Sequence, residues 1–229
     1  MNQSIPHILD RAVWHALNGP HSHLAEVHGM ARRYPVDVSP FNAVEDVTNP
    51  QAWSGLRELL GPEGAAILVG SVDEAPVGWQ IVERFAGVQM TGEAVKGEHD
   101  SSLIPLNNDD VPQMLSLIER AQPGPFLPRT IELGGYLGIK DGDQLVAMAG
   151  RRLNPPGWVE ISAVCTDEKY RGKGYAARLV KAVAAGIQHE NQIPFLHTSA
   201  ENVNAIRLYE KLGFVIRLRA EFVILKPIS

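Results

Sequence analysis

Arg171, Gly172, Lys173 and Gly174 stand between a β-branched run, Val159 to Thr166, and a run in which Ala176, Leu179, Val180 and Val183 recur at i, i+3, i+4 and i+7. The first run reads as a strand and the second as one apolar stripe of a helix. A helix start leaves several backbone N–H groups unpaired and pointing together, with roughly half a positive charge from the aligned peptides. Glycine lets an anion approach that backbone closely, and Arg171 and Lys173 add positive charge at its rim. The chemistry this spacing offers is capture of a phosphate.

Spacing separates the families that use such a turn. A P-loop needs Lys then Ser or Thr after its last glycine, whereas Gly174 is followed by Tyr175. A dinucleotide fingerprint is nominally present in Gly172, Gly174 and Ala177. It should begin at the strand end, however, and here Asp167 to Arg171 intervene. It would also want an acidic ribose ligand after the next strand, where Thr198-Ser199-Ala200 offers none before Glu201. The third pattern fits. Arg171-x-x-Gly174-x-Ala176 resembles the coenzyme A pyrophosphate loop of the GNAT superfamily of N-acetyltransferases. A second block, Asn202-x-x-Ala205-x-x-Leu208-Tyr209 with the exit Leu212-Gly213-Phe214, is similar to that superfamily's closing helix.

The resemblance implies roles for particular residues. The loop Arg171, Gly172, Lys173, Gly174, Tyr175 and Ala176 would hold the pyrophosphate. Val164, Cys165 and Thr166 would border the pantetheine arm, with the amides of Val164 and Thr166 facing the thioester oxygen. Asn202 matches the asparagine that bonds the arm, with Asn204 as a neighbouring competitor; either one could simply cap the helix. Tyr209 matches the usual general acid for the leaving thiolate, and its alternative is an amphipathic core tyrosine. For the base, Glu160 is the candidate because a regular strand gives it the parity of Ser162, Val164 and Thr166; a hydrogen-bonded structural glutamate is the alternative, and Glu132 the second choice. Cys165 has the opposite parity and no neighbouring histidine in sequence, so its side chain reads as a small buried hydrophobe and transfer as direct. The expected reaction is acetyl transfer from acetyl-CoA to a primary amine, small molecule or peptide. A catalytically silent acyl-CoA sensor on the same fold is the alternative.

These residues need a frame, and the rest of the chain supplies one. Ile8 to Leu17 carries a helical stripe, and a second helical piece is expected from Leu24 to Arg32. Asn49-Pro50 starts a helix that runs to about Leu60; 65–70 and 78–90 read as strands. Thr91 to Ser102 is polar and aperiodic, the expected linker. Then come a strand at 103–106, a helix at about 110–121 capped by Asn108 or Asp109, strands at 135–140 and 144–151 joined through Asp141-Gly142, and the strand, loop and helix described first. A strand at 194–199, a helix at 202–212 and one or two strands to Leu225 close the chain. The proline-rich segment Gln122 to Pro128 precedes the central strands, so Phe126 and Arg129 are acceptor-side candidates by the resemblance, against the favoured alternative of a loop packed on the core by Phe126. The expected fold is the α+β acyl-CoA N-acyltransferase fold, a mixed, mostly antiparallel sheet flanked by helices. It is expected over residues 103–229, with residues 1–97 as a separate N-terminal lobe that shapes the acceptor side. That lobe could be a degenerate copy of the same unit, and a homodimer surface is its other reading.

The 229 residues suffice for a substantial core, with 45% hydrophobic and 21% charged residues. A formal charge of −5 gives no nucleic-acid surface and a lean toward cationic substrates. One cysteine excludes an internal disulfide. The start, Met1 to His7, lacks a basic segment followed by an apolar run, and no stretch reaches the length of a bilayer span; the expected setting is cytoplasmic, with no membrane partner. His15, His21, His23 and His28 raise a metal site, but no acidic or thiol ligand accompanies them at a known spacing, so solvated or capping histidines and no metal are expected.

Overall fold

A computed structural model describes residues 7–70 and 72–228. The stretch Met1 to Pro6, read above for a leader, lies outside them. In chain order the elements are α1 (Ala12–Leu17), β1 (Glu26–His28), β2 (Ala31–Arg33), β3 (Asn42–Val44), α2 (Pro50–Leu60), β4 (Ala66–Val69) and β5 (Trp79–Thr91). There follow β6 (Ile104–Pro105), α3 (Val111–Ala121), β7 (Leu137–Asp141), β8 (Gln144–Arg151) and β9 (Trp158–Thr166). The chain closes with α4 (Tyr175–His189), β10 (Ile193–Ser199), α5 (Val203–Lys211) and β11 (Val215–Pro227).

Local chemistry accounts for most boundaries. Asn49 accepts from the Gln51 amide and Pro50 opens α2, while Gly61 ends it at φ 71°. Neither Asn108 nor Asp109 caps α3: Asp110 holds the N-cap position without a side-chain bond, and Asn107 caps the 3-10 turn Asn108–Asp110 that leads in, its side chain accepting from the Asp109 amide. The helical piece expected at Leu24 to Arg32 is instead the antiparallel pair β1 and β2, with Glu26 opposite Arg33. Gly29, at φ 52°, makes the turn that a helix would forbid.

Eight strands form one sheet in the order β4-β11-β5-β10-β9-β8-β7-β6. β5 runs antiparallel to β11 from Trp79 opposite Pro227 to Thr91 opposite Val215, and to β10 on its other side. The expected boundary near residue 100 therefore does not separate two sheets: strands from both sides of it alternate in one. α4 covers one face, where Leu179, Val180, Val183 and Ile187 meet Ala147, Ala149, Val159 and Ile161. α3 covers the other, where Met114 and Leu117 meet Met148 and Cys165. α2 packs Trp53 and Leu56 on Leu68, Trp79 and Val223 at the β4 end.

Of the expected linker, Thr91 closes β5 and the rest to Ser102 is irregular, yet it is packed along α4. Gly97 N–H donates to Gln188 Oε1 at 3.0 Å, Gln188 Nε2 donates to Val95 O, and Glu98 N–H donates to Lys181 O at 3.1 Å. An added Cβ on Gly97 would lie 2.5 Å from Ala185, so the glycine is what allows this approach.

Of the histidines weighed for metal, His23 and His28 are exposed, but His21 is buried with Nδ1 2.8 Å from Tyr34 Oη, which corrects the solvated reading for that residue. Among the described residues no group of three or more metal-ligating side chains is found. Burial, with a smaller contribution from His23, pulls the His21 pKa down from 6.5 to about 4. Between those values the unfolded chain binds a proton that the folded protein does not, so stability is complete above pH 6.5 and falls by roughly 3 kcal/mol as the pH drops to about 4. Denaturant midpoints of wild type and His21→Gln at pH 7.5 and 4 check this. The variant is expected to lose the smaller amount between the two, and an equal loss refutes it.

Candidate active site

β9 carries a defect in its pairing. Met148 faces Cys165 and Gly150 faces Ser162, so β9 has one residue more than β8 across this step, and Ala163 takes φ 52° to accommodate it. Gly150 is required on the other strand, since a Cβ there would lie 2.3 Å from the Tyr136 ring. The bulge inverts the face count. Glu160 shares its face with Cys165, while Ile161 and Val164 both pack toward α4. The parity that put Glu160 beside Val164 and Thr166 assumed an unbroken strand, and that is where it failed.

β9 and β10 are parallel neighbours only from Trp158–Ile193 to Glu160–Phe195, after which they part. Asp167 N–H donates to Val146 O at 2.8 Å and Cys165 is opposite Met148. Antiparallel alternation then turns the amides of Thr166 and Val164 away from β8, into the gap left by β10. Thr166 Oγ1 is itself buried, with no partner among the described residues.

The gap opens into a cavity of about 890 Å³. Val164, Cys165, Thr166, Arg171, Gly172, Gly174, Tyr175, Ala176, Asn202, Asn204 and Tyr209 all line it. Gly172 and Gly174 hold φ 79° and 77°, and Gly174 is the N-cap of α4, whose first-turn amides face the cavity without a capping side chain. Lys173 is not in the lining; its ammonium lies 4.8 Å from the Tyr170 ring centre. Asn202 caps α5, accepting from the Ala205 amide at 3.1 Å, which leaves its NH2 group for another partner. Tyr209 is 7% exposed and packs edge-on to Phe214. Burial pushes its phenol up to about 12 and the Cys165 thiol to about 12 as well, so both keep their protons at neutral pH.

Glu160 is fully enclosed, at 0% exposure, and lies behind the cavity wall. Its oxygens accept from Arg152 Nε at 2.8 Å and Nη2 at 2.7 Å, and Oε1 also meets His197 Nδ1 at 2.7 Å. Although burial opposes ionisation, the guanidinium and the two side-chain hydrogen bonds hold the carboxyl well below the usual range. A carboxylate so engaged is a poor base. Gln89 takes Arg217 Nε on its oxygen, so its NH2 donates to Leu9 O and to His197 Nε2, which makes Nδ1 the protonated nitrogen that donates to Glu160. Glu132 is likewise bound, receiving Arg129 Nε at 2.6 Å, and Arg129 also reaches Asp37. Phe126 is buried against Tyr136. Neither Phe126 nor Arg129 lines the cavity; the nearby loop residues Gln122 to Pro125 do.

The other end of the cavity was not visible in any motif. Phe41, Ile67, Phe85, Arg152, His197 and Phe222 line it, and three of them come from the first hundred residues. The apolar members show in the sequence only as strand-forming residues, and Arg152 and His197 carry no signal at all; it is the strand order that gathers them.

The family model described as FR47-like protein matches residues 136–223. A solved structure from Novosphingobium aromaticivorans DSM 12444, described as an acetyltransferase from the GNAT family, is 37% identical with a TM-score of 0.89, covering 98% of this chain and 100% of that one. A GCN5-related N-acetyltransferase from Kribbella flavida shares the fold, with a TM-score of 0.58 at 19% identity over 96% of each chain. N-acetylaspartate synthetase from Homo sapiens is 32% identical over 80 residues, 34% of this chain, and the match spans only 26% of that protein's length.

Proposed function

The chain belongs to the GNAT family of acetyltransferases, and from that premise we propose that it moves the acetyl group of acetyl-CoA directly onto a primary amine in a ternary complex. The observation that carries this reading is the gap between β9 and β10, where two backbone amides and the uncapped start of α4 line one cavity. Arg171 to Ala176 would bind the pyrophosphate by backbone amides, and the Asn202 amide group and β9 would hold the pantetheine arm. The Val164 and Thr166 amides would stabilise negative charge on the thioester oxygen as the amine attacks. When the C–S bond breaks, Tyr209 would give its proton to the sulfur, its phenol being protonated at neutral pH. No carboxylate lines the cavity among the described residues, and both ring nitrogens of the lining His197 are engaged, by Glu160 and Gln89, so the proton lost by the amine would pass to water.

The test is thiol release from acetyl-CoA over a broad panel of amines, amino acids, polyamines and peptides, with coenzyme binding followed by calorimetry. Amine-dependent release is expected, and Tyr209→Phe is expected to lower kcat about a hundredfold or more while coenzyme affinity stays within a few-fold. Coenzyme binding with no release from any amine would instead make the protein an acyl-CoA sensor. Retained kcat in Tyr209→Phe would remove the phenol from the reaction.

A further inference from the structure

Resting on the transferase reading above, we propose that the acceptor is an apolar α-amino acid, with Arg152 as the anchor for its carboxylate and Phe85 with Phe222 as the platform for its side chain. The first argument is charge. Among the described residues lining the cavity there is no Asp or Glu, and the lining cations are Arg152 and Arg171. A polyamine or aminoglycoside would bring several positive charges into a cavity with nothing opposite them, at a heavy desolvation cost. The overall charge of −5 thus does not reach the site, and the lean toward cationic substrates drawn from it fails there.

The second argument is the state of Arg152. Its side chain is 10% exposed, yet it reaches the cavity, while its partner Glu160 lies entirely behind it. The hydrogen bonds it makes to described residues use Nε and Nη2 only, leaving Nη1 for a ligand, and the guanidinium centre lies 4.8 Å from the Phe41 ring. A guanidinium held by two bonds in this way presents its remaining N–H groups in a fixed direction, which suits a carboxylate.

The third is shape. Phe85 lies parallel on Phe222, with ring centres 4.9 Å apart at 3°, and remains 41% exposed. An added Cβ on Gly87 would lie 2.6 Å from Phe222, so this glycine makes room for the ring. Ile67 and Phe41 continue the apolar wall. An amine joined to both a carboxylate and an aromatic or branched side chain matches all three features.

The experiment compares L-phenylalanine, L-leucine, 2-phenylethylamine, L-aspartate and spermidine as acceptors, using wild type and Phe85→Ala. Removing the carboxylate from the ligand probes the anchor without disturbing the Arg152–Glu160 pair, whose loss could unfold the protein. Phenylalanine or leucine is expected to exceed phenylethylamine in kcat/KM by about tenfold or more, and spermidine by about a hundredfold. Phe85→Ala is expected to raise KM for phenylalanine several-fold with acetyl-CoA affinity unchanged. Spermidine or aspartate as the best acceptor would overturn the proposal, as would equal use of phenylalanine and phenylethylamine; both leave the transferase reading standing. Thiol release from none of the five, with release from some other amine, also overturns it. Failure of acetyl-CoA to bind would overturn the transferase reading itself.

Discussion

Glu160→Ala is expected to destabilise the protein by about 3–5 kcal/mol, because it leaves the Arg152 guanidinium enclosed without a counter-charge. Both Arg152 nitrogens that Glu160 holds, and the Nδ1 of His197, would lose their acceptor in one step. Glu160→Gln, which keeps the shape and one acceptor oxygen, is expected to lose less. Denaturant midpoints at fixed slope measure both, and a change within about 1 kcal/mol for the alanine variant would refute the argument. The pH dependence follows in sign. A carboxyl held below its ordinary 4.5 contributes its stability fully above that value, and loses it only as the pH falls through the lower folded value. The pair therefore persists through mild acid, whereas His21 weakens the fold as the pH falls from 6.5 to about 4.

Gly174→Glu is expected to abolish coenzyme binding while leaving the fold intact. Gly174 is at φ 77°, where a residue with a side chain costs about 1–2 kcal/mol, yet nothing lies within 4 Å of an added Cβ. A carboxylate at the start of α4 would then meet the coenzyme's phosphates, and like charges at such range cost several kcal/mol. Together these weaken acetyl-CoA by roughly three orders of magnitude or more, each about 1.4 kcal/mol being tenfold. Gly174→Ala carries the backbone cost alone and is expected to lose about tenfold or a little more. Calorimetric titration of acetyl-CoA into the variants checks the order, and a Glu variant that binds like wild type would remove this turn from the coenzyme site.

The half of the cavity lined by Gly172, Gly174 and Asn202 was legible because its geometry is local. Gly172, Gly174 and Asn202 act through backbone geometry that spacing alone announces. The opposite half was not, since Phe41, Ile67, Phe85, Arg152 and Phe222 come from distant parts of the chain and meet only through strand order. Glu160 was misread for a subtler reason. A period of two holds only while a strand is regular, and the single extra residue at Ala163 reverses the face of everything before it. The β1–β2 hairpin was missed because three-residue strands carry too few positions for either period to declare itself.

The placement of β5 bears on how this catalytic unit can be divided. Both ladders of β5 are occupied, by β10 and by β11, so a fragment carrying every recognisable motif from residue 103 onward would lose the strand that joins its last two strands. β10 and β11 would each expose a row of unsatisfied backbone groups, a template for pairing with other chains. The motifs are therefore not portable without the preceding segment. An insertion or deletion in β5 acts on β10 and β11 directly, through the shared ladders, and not by way of a hinge between modules.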